Sequence, residues 1–115
     1  METAAKKILF LVIKDTKGKQ YLLLSEIARF EASDNYTIVV LKKDKKAFTI
    51  CGCLKHHLER VEHAQQFCRI HNSHAVRIDF ISRIDNNGTI TLRDGTELPS
   101  TAEYREALEQ KMPFC

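Results

Sequence analysis

"IARFEASDNYTIVVLKKDKKAFTI", residues 27–50, decides the class of fold. Three runs rich in apolar and β-branched residues, "IARFEAS", "YTIVVLKK" and "AFTI", are each cut after a few residues by a polar break. Runs this short predict strands, since a helix of ordinary length carries a 3.6-residue apolar period over roughly 10–12 residues or more. The first break is Asp34-Asn35, residues that tolerate the left-handed backbone conformation a tight connection needs. The second, "KKDKK" at 42–46, sets four lysines around one aspartate.

The same pattern extends in both directions. Upstream, "KKILFLVIK", "DTKG" and "KQYLLL" read as strand, hairpin turn and returning strand. Downstream the period changes: in "CLKHHLERVEHA" (53–64), Leu54, Leu58 and Val61 fall at i, i+4 and i+7, one face of a short helix. Strands resume with "FCRI", "AVRID", "FISRID", "TITLR" and "TEL". Asn87-Gly88 and Asp94-Gly95 predict hairpins with type I′ turns, in which both central residues take positive φ. A last helix is expected from "STAE", with Ser100 as N-cap, Glu103 completing a capping box, and Pro113 as the stop. Strands far outnumber helices, with no β-helix-β rhythm and no internal repeat, so the fold class is mainly β. No linker or low-complexity segment divides residues 1–115, and a single domain is expected.

At 115 residues, 43% hydrophobic and 29% charged, the chain has enough apolar material for a core without disulfides or metals. No run approaches the roughly 20 apolar residues of a spanning helix, and Ile8–Ile13 is too short and lysine-flanked for a signal peptide. A cytoplasmic protein with no membrane partner is expected. Four irregularly spaced cysteines (Cys51, Cys53, Cys68, Cys115) read as reduced thiols rather than a disulfide framework. The net charge of +3 is unevenly spread, with Lys6, Lys7, Lys14, Lys17 and Lys19 near one end and the 42–46 lysines further on. Such a stripe suits a polyanion, and a solvated hairpin accounts for the charge equally well.

Cys51, Cys53, His56 and His57 offer four metal-ligand side chains within seven residues. Their spacing is not that of structural zinc sites, and adjacent histidines point about 100° apart on a helix, so buried small thiols beside a solvated helix face are the simpler account. No metal or cofactor is expected. Nor is an enzyme: no nucleophile signature, Gly-rich phosphate cradle or paired-carboxylate motif occurs, and Glu59, Glu62, Asp79 and Asp85 read as surface charges. Nucleic-acid chemistry is better supplied. Asn reads adenine through two hydrogen bonds, Arg and Lys read guanine or neutralise phosphate, and hydroxyls fix register on the backbone. Asn35, Tyr36 and Thr37 at one strand connection, and Arg69, Asn72, Ser73 and His74 at another, carry that kit on loops. Taken singly, each loop is more simply explained by Asn or Ser satisfying its own turn backbone. The residues alone define a basic, mainly β binding module.

"FEASDNYT", "FCRIHNSHAV" and "LRDGTELPSTAEYR", in that order between about Tyr21 and Leu108, closely resemble the LytTR DNA-binding domain of bacterial transcription regulators. The resemblance implies an elongated arrangement of small packed β-sheets with one short internal helix and a C-terminal helix. It also implies a sequence-specific regulator that reads double-stranded DNA with loops in successive major grooves. Position by position, the first DNA-reading loop falls on Asn35, Tyr36 and Thr37, and the second on Arg69, His71, Asn72 and Ser73. Asn72 would read a base and Arg69 and Ser73 would hold phosphate, while His71 either faces DNA or props the loop. In the third contact surface, where many members carry arginines before a tyrosine, this chain has Ala102 and Glu103 ahead of Tyr104, and Arg105 is the residue that would partly substitute. Action as a homodimer on repeated sites is expected, because one module covers only a short sequence, and members of the family often carry a receiver or other sensory domain ahead of this one. The altered third surface leaves a second expectation open: a LytTR-like interaction module that dimerises or sequesters, with weakened DNA binding.

Overall fold

The computed structural model describes residues 10–61 and 67–110. The expected start of the first strand before Phe10, the continuation of the internal helix past Val61 and the stop at Pro113 lie outside the described residues.

The strands expected from the opening stretch form with nearly the expected bounds. β1 (Phe10–Asp15) and β2 (Gly18–Leu23) make a separate two-stranded hairpin. β3 (Ile27–Ser33), β4 (Tyr36–Leu41), β5 (Ala47–Cys51), β6 (Phe67–His71) and β7 (His74–Arg77) form a five-stranded antiparallel sheet in the order β5-β4-β3-β7-β6. β8 (Ile81–Ile84), β9 (Ile90–Leu92) and β10 (Glu97–Leu98) form a third antiparallel sheet. α1 (Leu54–Val61) follows β5, and α2 (Ala102–Glu109) follows β10. The fold is mainly β, a set of small sheets packed with two short helices.

Two cores lie on opposite faces of the five-stranded sheet. One gathers Phe30, Val39, Ile50, Phe67 and Ala75 with residues of the β1–β2 hairpin and Leu54 of α1. The other gathers Cys68, Ile70 and Val76 with Ile90, Leu92 and Leu98 of the third sheet and Leu108 of α2. Neighbouring residues such as Phe67 and Cys68, or Ala75 and Val76, enter different cores because successive side chains of a strand alternate between its faces. β6 and β7 thus bury side chains on both faces, Phe67 and Ala75 in one core and Cys68, Ile70 and Val76 in the other. Each fully buried Phe, Ile or Leu among these contributes roughly 1.5–3 kcal/mol of apolar transfer. Arg77 is buried at this junction, where its Nη1 donates to Leu24 O (3.1 Å) and its Nε meets Asp79 Oδ1 (2.8 Å). Those partners make a buried guanidinium tolerable.

Two local expectations are corrected. The connections at Asn87-Gly88 and Asp94-Gly95 are hairpin turns, but only the glycines take positive φ (94° and 91°), so neither is type I′. In the first, Gly88 N donates to Asp85 O and Thr89 N to Asn87 Oδ1; Gly95–Leu92 and Thr96–Asp94 repeat this in the second. The Asx side chain therefore caps a turn that a positive-φ glycine closes, a three-residue connection. The left-handed pair occurs instead at Asp44 and Lys45 (φ 60° and 51°), in the lysine turn, where no glycine marks it. The second correction concerns α2. Its N-cap is Thr101, whose hydroxyl accepts from Tyr104 N (3.3 Å), whereas Ser100 Oγ donates across to Gly88 O (2.5 Å).

Candidate nucleic-acid interface

The registers put the two polar loops at the same end of the five-stranded sheet. Ser33 pairs with Tyr36 across the Asp34–Asn35 turn, and His71 pairs with His74 across the Asn72–Ser73 turn. Since Glu31 faces His74, the two turns lie side by side, and Ala32 N donates to Ser73 O (2.8 Å) between them. The lysine turn lies at the other end of β4 and β5, past Val40 and Ala47. At about 3.3 Å per residue along β4, that is roughly 15–20 Å away. The lysines and the polar loops are therefore separate surfaces. Asp94 sits near the lysine turn: burial raises its carboxyl pKa, but hydrogen bonds from Thr96 and the charges of Lys45 and Arg29 outweigh this and leave it below the usual carboxylate value.

In the first turn, Asp34 takes φ 53° and Asn35 and Tyr36 are exposed. Thr37 is not: it is 0% exposed and its hydroxyl donates to Gly52 O (2.9 Å), while Gly52 N donates back to Asn35 O (3.0 Å). It braces the turn from behind instead of facing solvent. Lys55, which the sequence did not single out, is exposed in the first turn of α1, three residues after Gly52.

The second turn is bound on several sides. Arg69 lays its guanidinium along the chain, Nε donating to His71 O (3.2 Å) and Nη2 to Asn72 O (2.6 Å). His71 props the turn: its Nδ1 accepts from Ser73 N (3.1 Å), which leaves the ring proton on Nε2 in the neutral form. Asn72 is exposed, and the Tyr104 hydroxyl reaches its Oδ1 at 3.4 Å. Tyr104 also lies under Arg69, whose guanidinium carbon is 5.8 Å from the ring centre, and Thr101 N donates to Ile70 O (3.0 Å), seating the start of α2 against β6. Ala102 and Glu103 are exposed at that helix start. Arg105 turns away from this cluster, Nη1 donating to Ser100 O (3.2 Å) and Oγ (2.9 Å). A Cβ on Gly88 would stand 2.5 Å from that same Nη1, so the guanidinium fills the space the glycine leaves.

His74, beside the turn, is partly buried; its Nδ1 lies 3.9 Å from Glu31 Oε1 and its ring 5.5 Å from that of His71. Burial holds its pKa below the ordinary imidazole value; Glu31 opposes this, and His71 and Arg29 reinforce it. In the cysteine–histidine group the expected burial is reversed for the thiols and for His57: Cys51, Cys53 and His56 are exposed, while His57 is buried and donates from Nε2 to Cys51 O (2.6 Å). Among the described residues no three His, Cys, Asp or Glu side chains are grouped to hold a metal, and no helix is long and apolar enough to cross a membrane.

An exposed Asn thus stands on a braced turn, beside a second polar turn at one sheet end. The family model of the LytTr DNA-binding domain matches residues 18–112, so the chain belongs to the LytTR DNA-binding domain family. Among solved structures it is similar to the LytTr DNA-binding domain of a putative methyl-accepting/DNA response regulator from Bacillus cereus. The two share 22% identity at a TM-score of 0.74, over 93% of this chain and 99% of that one. That likeness establishes the fold. No curated protein matches the sequence.

Proposed function

We propose that this DNA-binding regulator domain reads a major groove with its two side-by-side turns, Asn72 being the base reader. One observation carries the proposal: Asn72 is the exposed polar side chain at the tip of a turn whose backbone is held by Arg69, His71 and the β3 amide of Ala32. The Tyr104 contact orients the carboxamide with one Oδ1 lone pair and the Nδ2 donors still open, which is what pairing with the N6 and N7 edge of adenine requires. Ser73 and the remaining N–H groups of Arg69 face the phosphates flanking that base. Asn35 and Tyr36 address the neighbouring positions, Thr37 holds their turn in place, and Lys55 adds backbone charge beside them. Arg105, engaged with Ser100, contributes by shaping the β8–β9 turn. The lysine turn reaches phosphates beyond this groove.

Binding in pairs on repeated sites, cytoplasmic placement in a bacterial cell and an N-terminal receiver or other sensory domain belong to the same proposal; the B. cereus neighbour is described as part of a response regulator. The test is a titration of wild type and Asn72→Ala on a duplex selected from a random pool. A loss of about 1–3 kcal/mol, confined to one base position, is expected, and unchanged affinity would remove Asn72 as a reader. A second reading, an interaction module with weakened DNA binding, is favoured by exposed Ala102 and Glu103 at the edge of the Asn72 cluster, where an acid repels phosphate. Salt separates the two: phosphate contacts give log K a slope near −0.9 per contact against log salt, whereas no measurable duplex binding even at low salt would favour the interaction module.

A further inference from the structure

The β1–β2 hairpin carries none of the residues placed in the DNA-reading proposal. Its inward side chains, Leu11 and Leu22, enter the first core, and its outward face carries three cross-strand rungs. Two are apolar and unusually open: Phe10 (44% exposed) opposite Leu23 (39%), and Val12 (41%) opposite Tyr21 (61%). The third places Lys14 directly opposite Lys19, both exposed. Like charges facing each other across a strand pair are destabilising, so this rung weakens the hairpin unless an anion lies between or beside the lysines. Among the described residues neither lysine has an ion-pair partner.

A cleft of about 570 Å³ opens beside these rungs, lined by residues 11–14 of β1, residues 49–51 of β5, and Lys19, Tyr21 and His57. Side chains of consecutive strand residues point to opposite faces, so four consecutive residues can line one cavity only where the strand's edge borders it. The same holds for the three residues of β5. Among the described residues β1 pairs only with β2 and β5 only with β4, so both are edge strands of separate sheets. The cleft is thus a gap between two open edges, each with main-chain groups to offer, and among the described residues no acidic side chain lines it. His57 closes one end by donating to Cys51 O.

We propose that this cleft binds an extended acidic peptide segment of a partner protein, which pairs along the free edge of β1 and bridges toward β5. Strand addition of this kind takes its affinity from main-chain hydrogen bonds and its specificity from alternate side chains. Here the rungs set the specificity: an apolar side chain beside Val12 and Tyr21, and a carboxylate two residues along, on the same face, beside Lys14 and Lys19. Charge selects the acidic partner over a second copy of this chain, because the hairpin of a copy would bring its own lysines against these.

The probes are three labelled hexapeptides titrated against the full chain: alternating Glu-Val, alternating Lys-Val, and the Glu-Val peptide with a central proline. Binding is followed by fluorescence anisotropy and by amide chemical shifts. The Glu-Val peptide is expected to bind, shifting the amides of residues 11–14 and 49–51, and the other two to bind at least about tenfold more weakly. In a Lys14→Glu/Lys19→Glu variant the preference should invert toward Lys-Val, while Lys14→Gln/Lys19→Gln keeps the hairpin fold and loses the preference. No binding by any peptide, equal binding by all three, or shifts confined to another surface would overturn the proposal. So would displacement of the peptide by duplex DNA with shifts in the same amides, which would assign the cleft to nucleic acid.

Discussion

The turns at Asp34–Asn35 and Asn72–Ser73 have the same length and lie at the same sheet end, yet they are held in different ways. The first relies on a left-handed Asp34 and on support from behind, through Thr37 and Gly52, and leaves Asn35 and Tyr36 open. The second has no left-handed residue and is fastened by an arginine, a histidine, a neighbouring strand and a tyrosine from α2. The contrast teaches where pre-organisation is concentrated. A base-reading side chain must be held within a fraction of an ångström of its productive geometry, and side chains whose rotamers are locked by neighbours do this at low entropic cost on binding. On the proposed function, the open turn would have to adapt to the duplex and would gain less per contact.

Substitutions can break or sharpen that contrast. The largest effect is expected from Asn72→Ala set against Asn35→Ala in the same DNA titration: about 1–3 kcal/mol for the braced turn and clearly less for the open one. Equal losses would abolish the distinction. Thr37→Val keeps the shape but strips Gly52 O of its donor, and should lower unfolding stability by about 1–3 kcal/mol in urea melts, with DNA binding affected only through the first turn. Thr101→Ala should cost about 1 kcal/mol of stability by removing the cap of α2, whereas Glu103→Gln should leave stability unchanged and strengthen DNA binding at low salt. Tyr104→Phe, which deletes one hydroxyl beside Asn72, should cost about 0.5–1.5 kcal/mol of DNA affinity with little change in melting.

The smallest effect is one of pH. Because burial holds the folded-state pKa of His74 below its unfolded value, the unfolded chain takes up the proton first as pH falls. The stability this group supports is therefore intact above about pH 6.5 and is lost as pH drops below it toward the folded pKa. Urea midpoints at pH 7.5 and 5.5 should converge in His74→Gln relative to wild type.

Strand positions were legible because alternation and short runs reflect burial directly, and every strand expected from residue 10 onward within the described residues formed. So was membership in the LytTR DNA-binding domain family, carried by three ordered motifs. The turn types at Asn87-Gly88 and Asp94-Gly95 were misread for a physical reason: an Asx side chain that bonds the amide two residues on stabilises a different turn from the one Asn-Gly signals in isolation. The cap moved from Ser100 to Thr101 because a tertiary acceptor, Gly88 O, competes for the Ser100 hydroxyl.

By itself, then, the sequence determined the mainly β class, the order of strands and the location of the polar turns, since each depends on contacts within a few residues. Only the tertiary structure decided that Thr37 points inward, that Tyr104 reaches Asn72, that the lysine turn sits at the far end of the sheet, and that two strand edges border one basic cleft. Each of these joins residues far apart in the chain, or depends on which face of a strand is covered, and strand register and sheet order settle both.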